Sequence, residues 1–585
     1  RHCCGLSCVC ADAVRKQRAT NAMKLATAAT AATAAFVIGL LLHLLVSLQH
    51  PAYPANDIRF TYTGRWLLDD HGVARADWPC SGVQFGVTTV TKTAAMATTA
   101  ARTAASTTTA RSISSPSTIL RLRLNLGRMR VQVKVTKNDV EESAVILEGH
   151  SLFDMARNYD IVLENNNKTT TTTNYTVSLT KLTQASPYMN GLGKPLTSVL
   201  EFHGVTLMDD ASSSSSLAPL LSRSSQHRRR IALIGASDTA GYCVDGTPDM
   251  SIFEPGRYDN CDMTSHAVLA RRMDAELVGV HAIAGIGMTQ NAFADLPFLL
   301  GKPTMPEYYT RTLQTERSTR WDFGASPRPD LIVVSLGGND FNHQRKVPSN
   351  ETFRTAYHHF LNQITEPYLL SLDQEEGDQQ DTAPPPPPVT IVSICGQGDP
   401  TEFARDPNND RCRPCPHVQD ATESFRANDD RVRVEYIFIP CDGTVVTGDG
   451  DIGCDGHKNR LGQERVADFL EPGLREIMDW PVPNNNNEET TTSSSSDTTV
   501  ATLAVSFSRS SKSAGPIVEL LLSAAVLLVL AAVVVARRRR GMIRSKVPSR
   551  SSPEQEEEET FLSYYYRRFS SSELVAKEEE GELFA

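Results

Sequence analysis

The sequence predicts an α/β fold preceded by an all-β region, with apolar helices of membrane-spanning length near both ends. Three observations carry this prediction. From residue 229 to 480, apolar runs of strand length alternate with stretches of helical length: IALIG, SHAVLARRMDAEL, VGVHAIAG, DLIVVSLGG, ETFRTAYHHFLNQIT, VTIVSICG, VRVEYIFIP and GQERVADFLEPGLREIMDW. Units alternating in this way pack as a parallel sheet covered by helices on both faces. Residues 57–210 carry a different pattern: RFTYTGRW, GVQFGVTTV, ILRLRLNL, MRVQVKV, YDIVL, NYTVSLTKLT and SVLEFHGVTLM are short, Thr-, Val- and Tyr-rich and separated by Gly, Asn and Ser. That is the signature of an antiparallel β-sandwich. Finally, residues 25–48 and 516–536 are apolar for about 20 residues each, enough to cross a bilayer core of ~30 Å.

Taken in order, residues 1–24 form a short segment bearing Arg15, Lys16, Arg18 and Lys24, and residues 25–48 read as a signal anchor or a signal peptide. Within the β region, the Thr/Ala tract from Thr89 to Thr109 and the Thr/Asn tract from Asn165 to Asn174 read as loops, because they bury too little apolar area to offset their ordering entropy. Residues 211–228 are a Ser-rich linker. The acidic and then proline-rich tract from Asp373 to Pro388 is a surface insertion between a helix and the next strand. Residues 481–515 are Asn-, Thr- and Ser-rich and read as a stalk, residues 516–536 as a transmembrane helix, and residues 537–585 as a tail that opens on Arg537 to Arg540. Basic residues flank both apolar segments on their outer sides. The expected topology therefore puts both ends in the cytosol and everything between them outside the cell or in the secretory lumen.

Other features agree with that topology. The sequons at Asn167, Asn174 and Asn350 fall between the two segments, where N-glycosylation would be possible. So do eight cysteines, Cys80, Cys243, Cys261, Cys395, Cys412, Cys415, Cys441 and Cys454, an even number suited to disulfides in an oxidising compartment. Cys412 and Cys415 with His417 have the spacing of half a zinc site, but no second pair completes it, so disulfides are expected there. Cys3, Cys4, Cys8 and Cys10 precede the first apolar segment and are candidates for palmitoylation. A formal net charge of -10 gives no global basic footprint, which removes nucleic acid as the default partner.

Chemistry gathers at the carboxyl ends of the expected parallel strands, where such sheets open onto a ligand crevice. Ser237 follows IALIG in a small-residue turn. It does not sit in a G-x-S-x-G elbow, since Thr239 stands where the last Gly would be. Gly285 ends HAIAG, Asn339 and Asp340 follow VVSLGG, and Asp455 and His457 lie in IGCDGHKN just before the last helix. Together they supply what ester hydrolysis needs: a hydroxyl, an imidazole to take its proton, a carboxylate to orient the imidazole, and neutral donors for an oxyanion. Asn339 and Asp340 also suit a simple turn, and Gly287 could serve in place of Gly285. Tyr242 and Trp321 are expected in the core rather than as substrate platforms.

The blocks GASDTAGY, AGIG followed by Asn291, SLGGNDF and GCDGHKN resemble the four blocks of the SGNH (GDSL-like) hydrolases. More narrowly, WDF…RPDLIVVSLGGND and the β-sandwich before it resemble family 2 carbohydrate esterases of the acetylxylan esterase kind, over roughly residues 57–480. The resemblance implies a flavodoxin-like SGNH domain over residues 229–480, preceded by a jelly-roll domain over residues 57–210. It implies Ser237 as nucleophile, His457 as general base and Asp455 as its orienting residue. The oxyanion hole would comprise the amides of Ser237 and Gly285 and the side chain of Asn339. Two departures stand out. Ala236 occupies the position of the usual Asp before the Ser, and Cys454 occupies the position three before the His, where the wider superfamily has Asp. A Ser-His dyad, with a main-chain carbonyl in place of the Asp, stays open beside the triad.

The expected activity is hydrolysis of acetyl esters on a polysaccharide or oligosaccharide, without metal or organic cofactor. The alternatives are an SGNH acyltransferase or lipid esterase, or a glycan-binding protein that has lost turnover.

Overall fold

The computed structural model describes residues 52–91, 117–138, 140–149, 155–164, 172–185, 199–209, 213–220, 229–249, 256–292, 302–341, 347–378, 388–396, 412–425 and 431–482. All of them fall in one compact unit.

The β region is two antiparallel sheets sharing one core. In the first sheet, strand Leu200–Asp209 pairs with Ser117–Asn125 and Ala74–Ala76, and Ser117–Asn125 pairs in turn with Arg157–Glu164. In the second, Thr172–Lys181 lies between Gly82–Thr91 and Arg130–Lys137. Period-two patterning explains the burial. Along Thr172–Lys181 the alternate residues Thr173, Tyr175, Val177, Leu179 and Lys181 are buried while their neighbours face outward. Tyr175, Val177 and Leu179 share a core with Leu120, Leu122 and Phe202 of the first sheet, and the Phe60 ring sits edge-on to both Phe85 and Phe202.

The α/β region is a five-stranded, wholly parallel sheet in the order Ala275–Ala282, Arg229–Gly235, Leu331–Ser335, Val389–Cys395, Val432–Phe438. Both faces are covered, as the continuous apolar runs require. Ile231 and Leu233 pack on one face against Val268 and Leu269 of helix Ser265–Arg272 and Val466 and Leu470 of helix Arg460–Met478. Ala232 and Ile234 pack on the other against Phe353, Tyr357 and Phe360 of helix Asn350–Asp378 and Val418 of helix Cys415–Ser424. The strand order reverses at Arg229–Gly235, so the crevice of this sheet opens beyond the carboxyl ends of that strand and its neighbours.

The β region and the α/β region are joined by a disulfide, Cys80–Cys261, and by buried polar contacts. Arg130 donates to the carbonyl of Asp259 and to the Asp245 carboxylate, each at 2.9 Å. Asp77, wholly buried, accepts from the main-chain N–H groups of Gln314 and Thr315 at 2.9 and 2.8 Å.

Several expectations need correction. No helix among the described residues is long and apolar enough to cross a membrane, which overturns the membrane localisation expected from the sequence. The longest, Asn350–Asp378, carries Glu351, Arg354 and Glu366 along with its apolar residues and covers one face of the sheet. The two apolar segments at 25–48 and 516–536 lie outside the described residues, as do Cys3, Cys4, Cys8, Cys10 and Asn167. Part of the expected linker is a strand: Ser213–Ala218 pairs with Gly82–Thr91, and Ser215 bonds back to the Asp209 carboxylate through both its N–H and its hydroxyl. Pairing with an open sheet edge overrode the weak strand propensity of serine. Helix Asn350–Asp378 runs on into the acidic tract, so the expected insertion between helix and strand begins later than Asp373. All eight cysteines form disulfides, but Cys412 and Cys415 pair with Cys441 and Cys395 rather than with each other.

Candidate active site

Ser237 follows the first strand of the parallel sheet and opens a single helical turn, Ser237–Ala240, closed by Gly241 in the left-handed region. The turn packs tightly on its own strand, for a Cβ at Gly235 would lie 2.1 Å from Thr239 Oγ1. Thr239 is therefore accommodated where an elbow would place glycine, because Gly235 leaves it room.

His457 reaches the same point from a loop more than two hundred residues later. Its Nε2 lies 2.8 Å from Ser237 Oγ, and its Nδ1 lies 2.9 Å from the main-chain carbonyl of Asp455. A carbonyl can only accept, so Nδ1 carries the proton and Nε2 turns its lone pair to the serine hydroxyl. This tautomer is the one that can take the hydroxyl proton.

The Asp455 assignment needs correction at the level of atoms. Its carboxylate is not what holds His457. The side chain is exposed and receives the Tyr242 hydroxyl at 3.5 Å. Asp455 adopts φ 54 and ψ 33, and that left-handed turn aims its carbonyl at Nδ1. With only one residue between the two, local geometry favours the carbonyl.

The other expected oxyanion donors, Gly285 and Asn339, follow the carboxyl ends of the two strands that flank Arg229–Gly235. Gly285 has φ 78, which glycine alone adopts freely, and a Cβ there would meet only Ala292 Cβ, at 3.9 Å. Among the described residues, the main-chain N–H groups of Ser237 and Gly285 donate no internal hydrogen bond. Gly287 is no substitute for Gly285, since its N–H is taken by Asn291 Oδ1 at 3.1 Å. Asn339, half-buried, donates from Nδ2 to the carbonyl of Ile286 at 2.7 Å, which ties its amide to the loop bearing Gly285.

Three features were not drawn from the sequence. Asp340, wholly buried, accepts from the N–H groups of Met288, Thr289 and Gln290 at 2.8, 2.6 and 3.1 Å and from the Thr289 hydroxyl at 2.6 Å. Burial pushes its carboxyl up, and these bonds to the anion pull it back. Asp340 thus cross-links the loops of Asn339 and Gly285. Tyr242, expected in the core, lies half-buried with its ring edge-on to His457 at 4.8 Å between centroids. Lastly, Asp238 and Lys458, next in sequence to Ser237 and His457, form an ion pair at 2.9 Å with side-chain exposures of 19% and 6%.

Trp321 packs elsewhere, over the Arg65 guanidinium at 5.5 Å. Asn174 is exposed on its strand and accepts from Thr88 Oγ1 at 2.9 Å, and exposed Asn350 donates to the Asp420 carboxylate at 3.2 Å.

The chain is similar to solved family 2 carbohydrate esterases. One from Clostridium thermocellum in complex with cellohexaose is 19% identical, the match covering 72% of this chain and 100% of that one with a TM-score of 0.48. One from Cellvibrio japonicus is 16% identical over 73% of this chain and 97% of that one, with a TM-score of 0.49. An acetyl xylan esterase from the rumen bacterium Butyrivibrio proteoclasticus is 15% identical over 72% and 96%, with a TM-score of 0.44. No protein-family model and no curated protein matches the chain.

Proposed function

We propose that the chain is a serine esterase that removes acetyl groups from carbohydrate, with residues 229–480 as its catalytic domain and residues 57–210 as an accessory sandwich. One observation carries this reading: His457 bridges the Ser237 hydroxyl and a fixed main-chain acceptor, at 2.8 and 2.9 Å, at the crevice end of a parallel sheet. An intact relay of this kind argues against a site that has lost turnover. The carbohydrate substrate class rests on the resemblance of the sequence blocks to family 2 carbohydrate esterases.

In the proposed mechanism Ser237 Oγ attacks the acetyl carbonyl while His457 Nε2 takes its proton. The oxyanion forms facing the N–H groups of Ser237 and Gly285 and the Asn339 amide. Collapse breaks the ester bond, and His457 passes its proton to the departing sugar oxygen. Water then attacks the acetyl-Ser237 ester, again giving its proton to Nε2, and acetate leaves as the serine is restored. The His457 imidazolium is steadied by the Asp455 carbonyl rather than by a full negative charge.

The test is acetate release by the full chain from acetylated oligosaccharide and p-nitrophenyl acetate. Ser237→Ala is expected to lower kcat by about 10⁴-fold or more. Turnover unchanged in that variant would refute the reading. A strong preference for long acyl esters, or transfer to an acceptor sugar in place of water, would point to the lipid esterase or the acyltransferase.

A further inference from the structure

The loop that presents the base and the loop that follows the nucleophile are fastened together twice. One fastening is covalent: Cys243, six residues after Ser237, is bonded to Cys454, three residues before His457, and both are buried. The other is ionic, between Asp238 and Lys458, each adjacent in sequence to a reacting residue. The backbones also touch beside the disulfide, since a Cβ on Gly453 would fall 2.3 Å from the Cys243 carbonyl oxygen. Within the base loop, Gly453 N–H donates to the His457 carbonyl at 2.6 Å and His457 N–H to the Cys454 carbonyl at 3.2 Å.

Two non-glycine residues at this junction have left-handed backbones, Cys243 at φ 62 and Asp455 at φ 54. Such conformations are sparsely populated and persist only where the surroundings impose them. At Asp455 that conformation turns the carbonyl onto His457 Nδ1. The disulfide fixes the residue immediately before it.

We infer that the Cys243–Cys454 disulfide is a positioning device for the general base. Resting on the esterase reading above, it holds the turn at Asp455 that aims the carbonyl at His457, and so does the work that an orienting carboxylate would do. Cys243 and Cys454 touch neither the acyl group nor the oxyanion. Their effect passes through Asp455 and His457, so it falls on kcat and spares KM.

The experiment compares kcat and KM for an acetyl ester in the full chain, in C243S/C454S and in C395S/C415S, which lacks a disulfide of the other sheet face, at a temperature where all three are folded. We expect kcat to fall about tenfold or more in C243S/C454S with KM within about twofold, and kcat in C395S/C415S to stay within about twofold of the parent. Equal kcat in C243S/C454S and the parent would overturn the inference, as would equal losses in both disulfide variants. If C243S/C454S does not fold, Gly453→Ala, which keeps all eight cysteines, displaces the base loop from Cys243. A folded Gly453→Ala with the parent's kcat would overturn the inference as well. A parent chain without Ser237-dependent turnover instead sinks the esterase reading, which separates the two failures.

Discussion

His457 is oriented by a peptide carbonyl, and this decides what substitutions at Asp455 do. In a carboxylate-dependent triad, loss of the charge costs about 10⁴-fold in kcat. Here Asp455→Asn keeps the carbonyl, and asparagine tolerates the left-handed backbone, so kcat is expected within about threefold of the parent. Asp455→Val, whose β-branched side chain resists φ 54, is expected to lose activity with the carbonyl intact in sequence but misdirected. Steady-state kinetics on an acetyl ester checks both. Asn339→Ala removes one proposed oxyanion donor and is expected to cost about 10²–10³-fold in kcat. Much of this site was legible in the sequence, because Ser237, Gly285 and Asn339 each stand just past an apolar run of strand length and His457 stands in the loop just before the last helix. Asp340 was legible only as a turn residue, since its four acceptor bonds depend on where the Gly285 loop comes to rest. The carbonyl at Asp455 was open as an alternative and no more, because which oxygen faces an imidazole two residues on is set by φ and ψ and not by residue type.

At the scale of elements, helix Ser265–Arg272 carries a pH-sensitive group within electrostatic reach of Asp238 and Lys458. His266 is buried with its Nδ1 3.3 Å from Ser265 Oγ, and burial pushes its imidazole down to about 4 from 6.5, with Lys458 adding to the effect and Asp238 opposing it. The unfolded chain protonates this histidine below about 6.5 while the folded chain keeps it neutral to about 4. Its contribution to stability is therefore complete above about pH 6.5 and is lost as pH falls from there towards 4, by on the order of 3 kcal/mol. Burial raises Asp259 to about 6, and that group acts in the opposite sense over part of the same range. The comparison must therefore be between proteins: urea midpoints from pH 7 to pH 4 are expected to fall less in His266→Gln than in the parent, and parallel curves would contradict the assignment. Among the elements themselves, the three central strands of the parallel sheet were the most legible, being nearly continuous apolar runs rich in Val, Ile and Leu. Strand Val140–Glu148 was missed, because Glu141, Glu142 and Ser143 interrupt its alternation before Ala144 to Leu147 restore it. Ser213–Ala218 was missed because only its pairing with Gly82–Thr91 makes it a strand.

For the whole molecule, the β-sandwich is more than a neighbour of the catalytic part. Gln184, buried just after strand Thr172–Lys181, accepts the N–H of Ala284 at 2.6 Å and so braces the residue before Gly285. An unsatisfied N–H at such a site costs about 1–3 kcal/mol, enough to shift the loop. Gln184→Ala is expected to lower kcat by about tenfold while leaving the Ser237–His457 contact in place, and an unchanged kcat would show that the sandwich only supports the fold. This coupling was not legible, nor was the disulfide pattern, since eight cysteines allow about a hundred pairings that only the folded chain distinguishes. What the sequence carried was the succession of a β-rich and an α/β-rich half, because periodicity alone separates them. The central claim is that Ser237 is a nucleophile activated by His457. It is tested most directly by treating the full chain with an alkyl phosphonate ester and mapping the adduct by peptide mass spectrometry. The account predicts one adduct, on Ser237, formed at least about 10²-fold more slowly in His457→Ala. An adduct on another residue, or labelling of Ser237 at the same rate without His457, would contradict it.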